Sequence, residues 1–184
     1  MTSLVATPIA GLWEVETSPH RDERGSLTRL FCADAFAPAV RGLRFVQVNH
    51  SITRRRGTIR GLHFQRPPAA EWKLIRCLRG HVFDVAVDLR KGSPTFGRWH
   101  PVLLSADNQR QILIPPGCAH GFQTLADDSE LLYQHSAAYS PALEDGVRHD
   151  DPRLAIDWPE PATSLSPRDL ALGPFDGGFE GVRA

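Results

Sequence analysis

Between Leu43 and Tyr139 the apolar residues fall in short runs rich in Val, Ile, Leu and Phe, each cut off by turn residues, with little sustained helical periodicity. The pattern predicts strands at residues 44–48, 58–65, 74–78, 82–88, 111–114 and 130–135. Gly57, Pro67-Pro68, Gly80, Gly92-Ser93-Pro94 and Pro115-Pro116-Gly117 supply the punctuation. An all-β antiparallel barrel or sandwich follows. After Trp158-Pro159 the composition shifts towards Pro, Ser, Asp and Gly, which predicts a short helical segment and then a loose tail over residues 170–184. That stretch is too short for a second domain, so residues 1–184 read as one unit with one site.

Residues two apart on a strand share a face. Gln47 pairs in this sense with Asn49, His63 with Gln65, and Tyr133 with His135. If these faces point inward each polar group needs a partner, because an unsatisfied buried one costs about 1–3 kcal/mol. A polar ligand would supply them. Strict alternation sends Arg60 and His63 to opposite faces, so a shared site requires a bend or bulge, for which Gly61 is well placed.

Composition narrows the chemistry. With 41% hydrophobic residues in 184 the chain can bury a core, and its 21 basic and 21 acidic residues cancel. No global field favours nucleic acid or an anionic membrane, so an anionic ligand must be met by local arginine or lysine. Met1 to Glu14 shows no basic start followed by an apolar run, and no stretch is long enough to span a bilayer, which predicts a cytoplasmic protein. Cys32, Cys77 and Cys118 are odd in number and widely spaced, which speaks against a disulfide framework and against paired-cysteine zinc.

Two patterns carry candidate chemistry: Gly61-Leu62-His63-Phe64-Gln65 and Pro115-Pro116-Gly117-Cys118-Ala119-His120. The second resembles the second motif of the cupin superfamily, and the first resembles its opening His-x-His with the later histidine replaced by Gln65. A catalytic metal wants about three converging ligands, and His63 and His120 are joined only by Glu71, a weak third candidate, so no metal is expected. Other readings are structural. Ser166-Pro167-Arg168-Asp169 has the form of a helix start, Arg54-Arg55-Arg56 of a solvated turn, and Lys73 of a strand-edge charge.

The runs Gln47-Val48-Asn49-His50-Ser51, Gly57 to Gln65 and Gly92-Ser93-Pro94-Thr95-Phe96-Gly97 together resemble the dTDP-4-dehydrorhamnose 3,5-epimerase family. So do Ala119-His120-Gly121-Phe122, Asp151-Pro152 and Trp158-Pro159, and the similarity runs from about Gly11 to Asp169. The resemblance implies a cupin jelly roll, usually a homodimer that exchanges N-terminal strands, acting on a nucleotide-sugar without a cofactor. It implies His63 as base, Asp169 as its orienting carboxylate and Tyr133 as acid, with Asp84 a competing partner for His63. It also places Arg24, Gln47, Asn49, Arg60, Lys73, His120 and Arg168 around the substrate.

The chemistry suits these residues on its own terms. A ketone at carbon 4 of a sugar acidifies the hydrogens on carbons 3 and 5, and histidine is a suitable base near neutrality. Lys73 or Arg60 would stabilise the enolate, and inversion needs a proton from the opposite face, the role expected of Tyr133. The chain also departs from the family pattern, with Leu27 and Arg29 where an aromatic and a glutamate are common and His149-Asp150 where a tryptophan and an asparagine are common. The alternatives are a single-centre epimerase, an enzyme for CDP- or GDP-linked sugars, a non-catalytic nucleotide-sugar-binding cupin and a metal-dependent cupin.

Overall fold

The structure, a computed structural model, describes residues 2–183. In chain order the elements are β1 (Thr2–Ala6), β2 (Trp13–Thr17), β3 (His20–Asp22), β4 (Gly25–Leu27), α1 (Ala33–Phe36), β5 (Gln47–Thr53), β6 (Ile59–Gln65) and β7 (Lys73–Arg79). They continue with β8 (His81–Asp88), β9 (Trp99–Ser105), β10 (Gln111–Ile114), β11 (Cys118–Thr124), β12 (Ser129–His135), β13 (Glu144–Gly146) and α2 (Pro167–Leu170). One sheet has the order β1-β2-β10-β7-β12-β5, the other β13-β6-β11-β8-β9, and β3 and β4 form a separate hairpin. All strand pairs within the sheets are antiparallel. The architecture is the all-β, cupin-type jelly roll with a short C-terminal helix that the sequence predicted.

The main core lies between the sheets, where Ile75, Cys77, Ile112, Ile114 and Leu131 of the first meet Val82, Ala86, Val102, Leu104, Cys118 and Phe122 of the second. Strand β8 is buried on both faces, because Val85 and Val87 point outward into a second cluster with Leu62, Phe64, Leu154, Phe175 and Val182. A doubly covered strand has no reason to alternate polar and apolar residues, so from Val82 to Val87 its sequence is apolar except for Asp84.

Two expectations are corrected. The first strand does not occupy 44–48 but starts at Gln47 and runs to Thr53, because Leu43 and Phe45 pack with Phe31 and Phe36 under the N-terminal strands instead. Within the described residues the tail is not loose. Phe175 and Phe179 stack with each other and with Phe96, and Val182 bonds to both Leu89 (2.7 Å) and Lys91 (2.9 Å). These residues are the outer lid on β8 that its apolar outer face requires. The short α2 falls where Ser166-Pro167-Arg168-Asp169 predicts it, with the Ser166 hydroxyl accepting from the Asp169 backbone N–H at 3.0 Å.

Candidate active site

At one end of the sandwich the sheets part around a cavity of about 350 Å³. One wall carries Arg60, His63 and Gln65 of β6 with His120 and Phe122 of β11, and the other carries Lys73, Tyr133, His135, Gln47 and Asn49 of β7, β12 and β5. Arg60 and His63 both face the cavity because the ladder slips there. His120 pairs with His63 and Phe122 with Arg60, so the four residues Arg60–His63 of β6 lie opposite only three of β11, His120–Phe122. Gly61 makes this possible with φ +130°, and a Cβ on it would lie 2.5 Å from the Gly121 Cα.

His63 Nε2 lies 2.6 Å from Asp169 Oδ1, so the α2 turn that caps on Ser166 also delivers the carboxylate to the imidazole. Burial pushes the Asp169 carboxyl up, but the His63 bond and charge, Ser166 and Arg168 outweigh it and leave its pKa below the ordinary range. Asp84 is not the partner of His63. It bonds to His120 Nε2 at 2.8 Å, forming a second, fully buried pair. Desolvation drives the His120 pKa down against the pull of Asp84, which keeps this imidazole neutral near pH 7.

Tyr133 packs edge-on against the His120 ring with centroids 5.8 Å apart. Burial raises its phenol well above the usual value, so it holds its proton across the neutral range. The Lys73 ammonium donates to the His63 carbonyl at 3.2 Å and lies 3.5 Å from Glu71. Desolvation lowers its pKa, opposed chiefly by Glu71. Arg60 is steadied by Thr53 Oγ1 (3.0 Å) and the Ile52 carbonyl (3.3 Å).

Gln65 turns out to be structural. Its amide donates to the Ala69 and Ala138 carbonyls and accepts from Ser140 N at 2.7 Å, latching two loops together beside the cavity. At the mouth, Glu144 accepts from both the Tyr139 hydroxyl and Arg168. Glu71, weighed in the sequence as a metal ligand, is bound to Lys73 and to His135 Nδ1 (3.0 Å). Tyr139 and Glu144 were not legible as site residues, since they come from a loop and a three-residue strand whose placement depends on the pairing of β13 with β6.

Arg24 is not brought to this cavity. It sits on the β3-β4 hairpin, its side chain 85% exposed and paired with Asp22 at 2.6 Å. Leu27 and Arg29 line a separate hollow with His20 and Ala35. His149 is half-buried at the Asp151 turn, also outside the cavity.

A cupin barrel holding a carboxylate-oriented imidazole on one wall and a buried phenol on the other defines an acid–base catalyst of the kind that moves a proton on and off carbon. Comparison with known proteins specifies the family. The profile of the dTDP-4-dehydrorhamnose 3,5-epimerase family matches residues 6–176, and the chain belongs to that family. It is 44% identical over 169 residues to dTDP-4-dehydrorhamnose 3,5-epimerase of Shigella flexneri, covering 91% of this chain and 93% of the relative. It is equally 44% identical over 162 residues to dTDP-4-dehydrorhamnose 3-epimerase of Streptomyces niveus, covering 88% and 78%. Among solved structures, the Legionella pneumophila dTDP-6-deoxy-D-glucose-3,5-epimerase in complex with dTDP-4-keto-L-rhamnose superposes with a TM-score of 0.92 at 39% identity, covering 100% of this chain and 99% of that one.

Proposed function

We propose that this protein epimerises a dTDP-linked 4-keto-6-deoxyhexose at carbons 3 and 5, without a metal or other cofactor. The observation that carries the reading is the His63–Asp169 pair facing Tyr133 across one cavity. Asp169 accepts from one ring nitrogen of His63 and leaves the other free to take a proton from carbon 3 or 5. Negative charge then develops on the keto oxygen, where the Lys73 ammonium and Arg60 lie ready to meet it. Tyr133 returns a proton from the opposite face, which inverts the centre. His120, neutral and fixed by Asp84, donates no charge but shapes the wall beside Tyr133.

Gln47, Asn49 and Arg168 hold the diphosphate and nucleotide. Arg24, Leu27 and Arg29 reach a nucleotide only in another subunit's cavity, so the working form is a homodimer that exchanges its N-terminal hairpin. Its exposed strand edge supports this, since Val48 on β5 and Val46 just before it are 60% and 65% exposed. Among the described residues no helix is long and apolar enough to cross a membrane. Three unpaired cysteines, two of them buried, suit the reducing cytoplasm.

The deciding experiment is incubation with dTDP-4-keto-6-deoxyglucose in deuterated water. Deuterium at carbons 3 and 5 with formation of the L-rhamno product is expected. Exchange confined to carbon 3 would make it a single-centre enzyme, and no exchange at either carbon would overturn the reading.

A further inference from the structure

The cavity contains a third imidazole–carboxylate pair that the proton chemistry above leaves unused. His135 follows Tyr133 by two residues on β12, so the two rings share a face, and they lie parallel within 9° with centroids 6.0 Å apart. Across the sheet His135 is the register partner of Lys73 on one side and of Gln47 on the other. Its Nδ1 lies 3.0 Å from Glu71 Oε2, while the other oxygen of the same carboxylate faces Lys73. Both partners are largely withdrawn from water, with side-chain exposures of 12% and 6%.

This arrangement fixes what His135 offers a ligand. A carboxylate only accepts, so Nδ1 carries the hydrogen, and in the neutral ring Nε2 is then an acceptor. Among the described residues Nε2 contacts the Asn49 amide at 3.4 Å, at the long end of the hydrogen-bond range. A rigid, orientated acceptor therefore borders the cavity one strand over from the lysine assigned to the keto oxygen.

We propose that His135, held by Glu71, is a specificity-determining residue that accepts a hydrogen bond from the sugar hydroxyl next to the keto group, on carbon 3. The assignment rests on the reading that Lys73 meets the keto oxygen at carbon 4. The hydroxyl on the adjacent carbon lies beside that oxygen, as His135 lies beside Lys73. A site built around such an acceptor discriminates against a substrate lacking the hydroxyl, because the acceptor would be left unpaired.

The test compares His135→Leu with the parent enzyme on two ligands, dTDP-4-keto-6-deoxyglucose and its 3-deoxy analogue, dTDP-4-keto-3,6-dideoxyglucose. In the variant the KM for the hydroxylated substrate should rise roughly tenfold, the loss of about one good hydrogen bond, while the inhibition constant of the 3-deoxy analogue stays within about twofold. Deuterium exchange at carbon 5 should persist. If the leucine variant does not fold, His135→Gln carries the same comparison with a smaller shift in the same direction. An equal loss on both ligands, or no loss on either, overturns the assignment. Absence of exchange by the parent enzyme would instead overturn the proposed function, so the two failures are distinguishable.

Discussion

Three imidazoles in one cavity are given different tasks by their carboxylates and their depth. His120 and Asp84 are buried together and desolvation wins, so that ring stays neutral. His63 is 27% exposed at the cavity surface, where a substrate can reach it, with Asp169 behind. On the proposed mechanism the carboxylate selects the tautomer that presents a basic nitrogen, so Asp169→Asn should lower kcat by roughly 10²-fold or more while leaving KM nearly unchanged. Steady-state kinetics on the dTDP-sugar checks this, and unaltered turnover would remove Asp169 from the mechanism. Tyr133→Phe makes the complementary test. Loss of the acid should abolish inverted product while deuterium exchange, driven by His63 from its own side, continues. Loss of exchange and inversion together would mean that Tyr133 does more than return the proton.

At the scale of elements, the site depends on a strand that breaks its own alternation. Gly61 sits at +130° in φ, and Gly121 opposite it leaves no room, since a Cβ there would lie 2.9 Å from the Arg60 carbonyl. Gly121→Ala must push β6 from β11, which should cost roughly 1–3 kcal/mol as overpacking and turn Arg60 and His63 out of register. Urea unfolding alongside kcat would show activity falling by more than stability alone explains. Asp88 anchors the following turn through Arg90, Ser93 and Thr95, each bond 2.6–2.8 Å from a side-chain donor. Burial alone would raise its carboxyl, but these bonds pull it down to about 2 from an ordinary 3.8. A folded pKa below the unfolded one stabilises fully above about pH 4 and is lost as pH falls through about 2. Asp88→Asn should therefore destabilise at pH 7 by about 2 kcal/mol, and the gap between variant and parent in chemical denaturation should close on acidification. A gap that stays constant with pH would mean that the charge is not what holds the turn.

Much of this architecture was legible in the sequence. Strand β10 falls where the apolar run places it, and the conflict between Arg60 and His63 in strict alternation marks the bulge. Other features were hidden for physical reasons. β11, Cys-Ala-His-Gly-Phe-Gln-Thr, is buried along its whole length, yet its glycine and polar residues look like a loop because they are paired by Asp84, Glu160 and Thr58 from elsewhere in the chain. β5 looks too polar for a strand because Gln47 and Asn49 face a cavity. The Glu71–His135 pair could not be read at all, since 64 residues separate the partners and only the pairing of β7 with β12 brings them together.

At the scale of the whole molecule, two of the residues that depart from the family pattern, Leu27 and Arg29, line a hollow separate from the central cavity. Leu27, 73% exposed on the β3-β4 hairpin, and Arg29 touch nothing in the catalytic cavity of their own chain. An exposed leucine at the tip of an arm is explained if the arm packs into a second copy and lays Leu27 against the ligand's base. Leucine lacks the aromatic face that adds roughly 0.5–1.5 kcal/mol to a ring contact, and Arg29 offers donors where a carboxylate would accept. Two measurements separate the possibilities. Competition among dTDP, CDP, GDP and UDP should favour dTDP, and Leu27→Phe should tighten dTDP by roughly 2- to 10-fold through the restored stacking. A preference for CDP or GDP would reassign the nucleotide while leaving His63 and Tyr133 their roles. An affinity for dTDP that ignores Leu27→Phe altogether would show that the hairpin does not reach a partner's nucleotide, and the exchanged-arm dimer would fall with it.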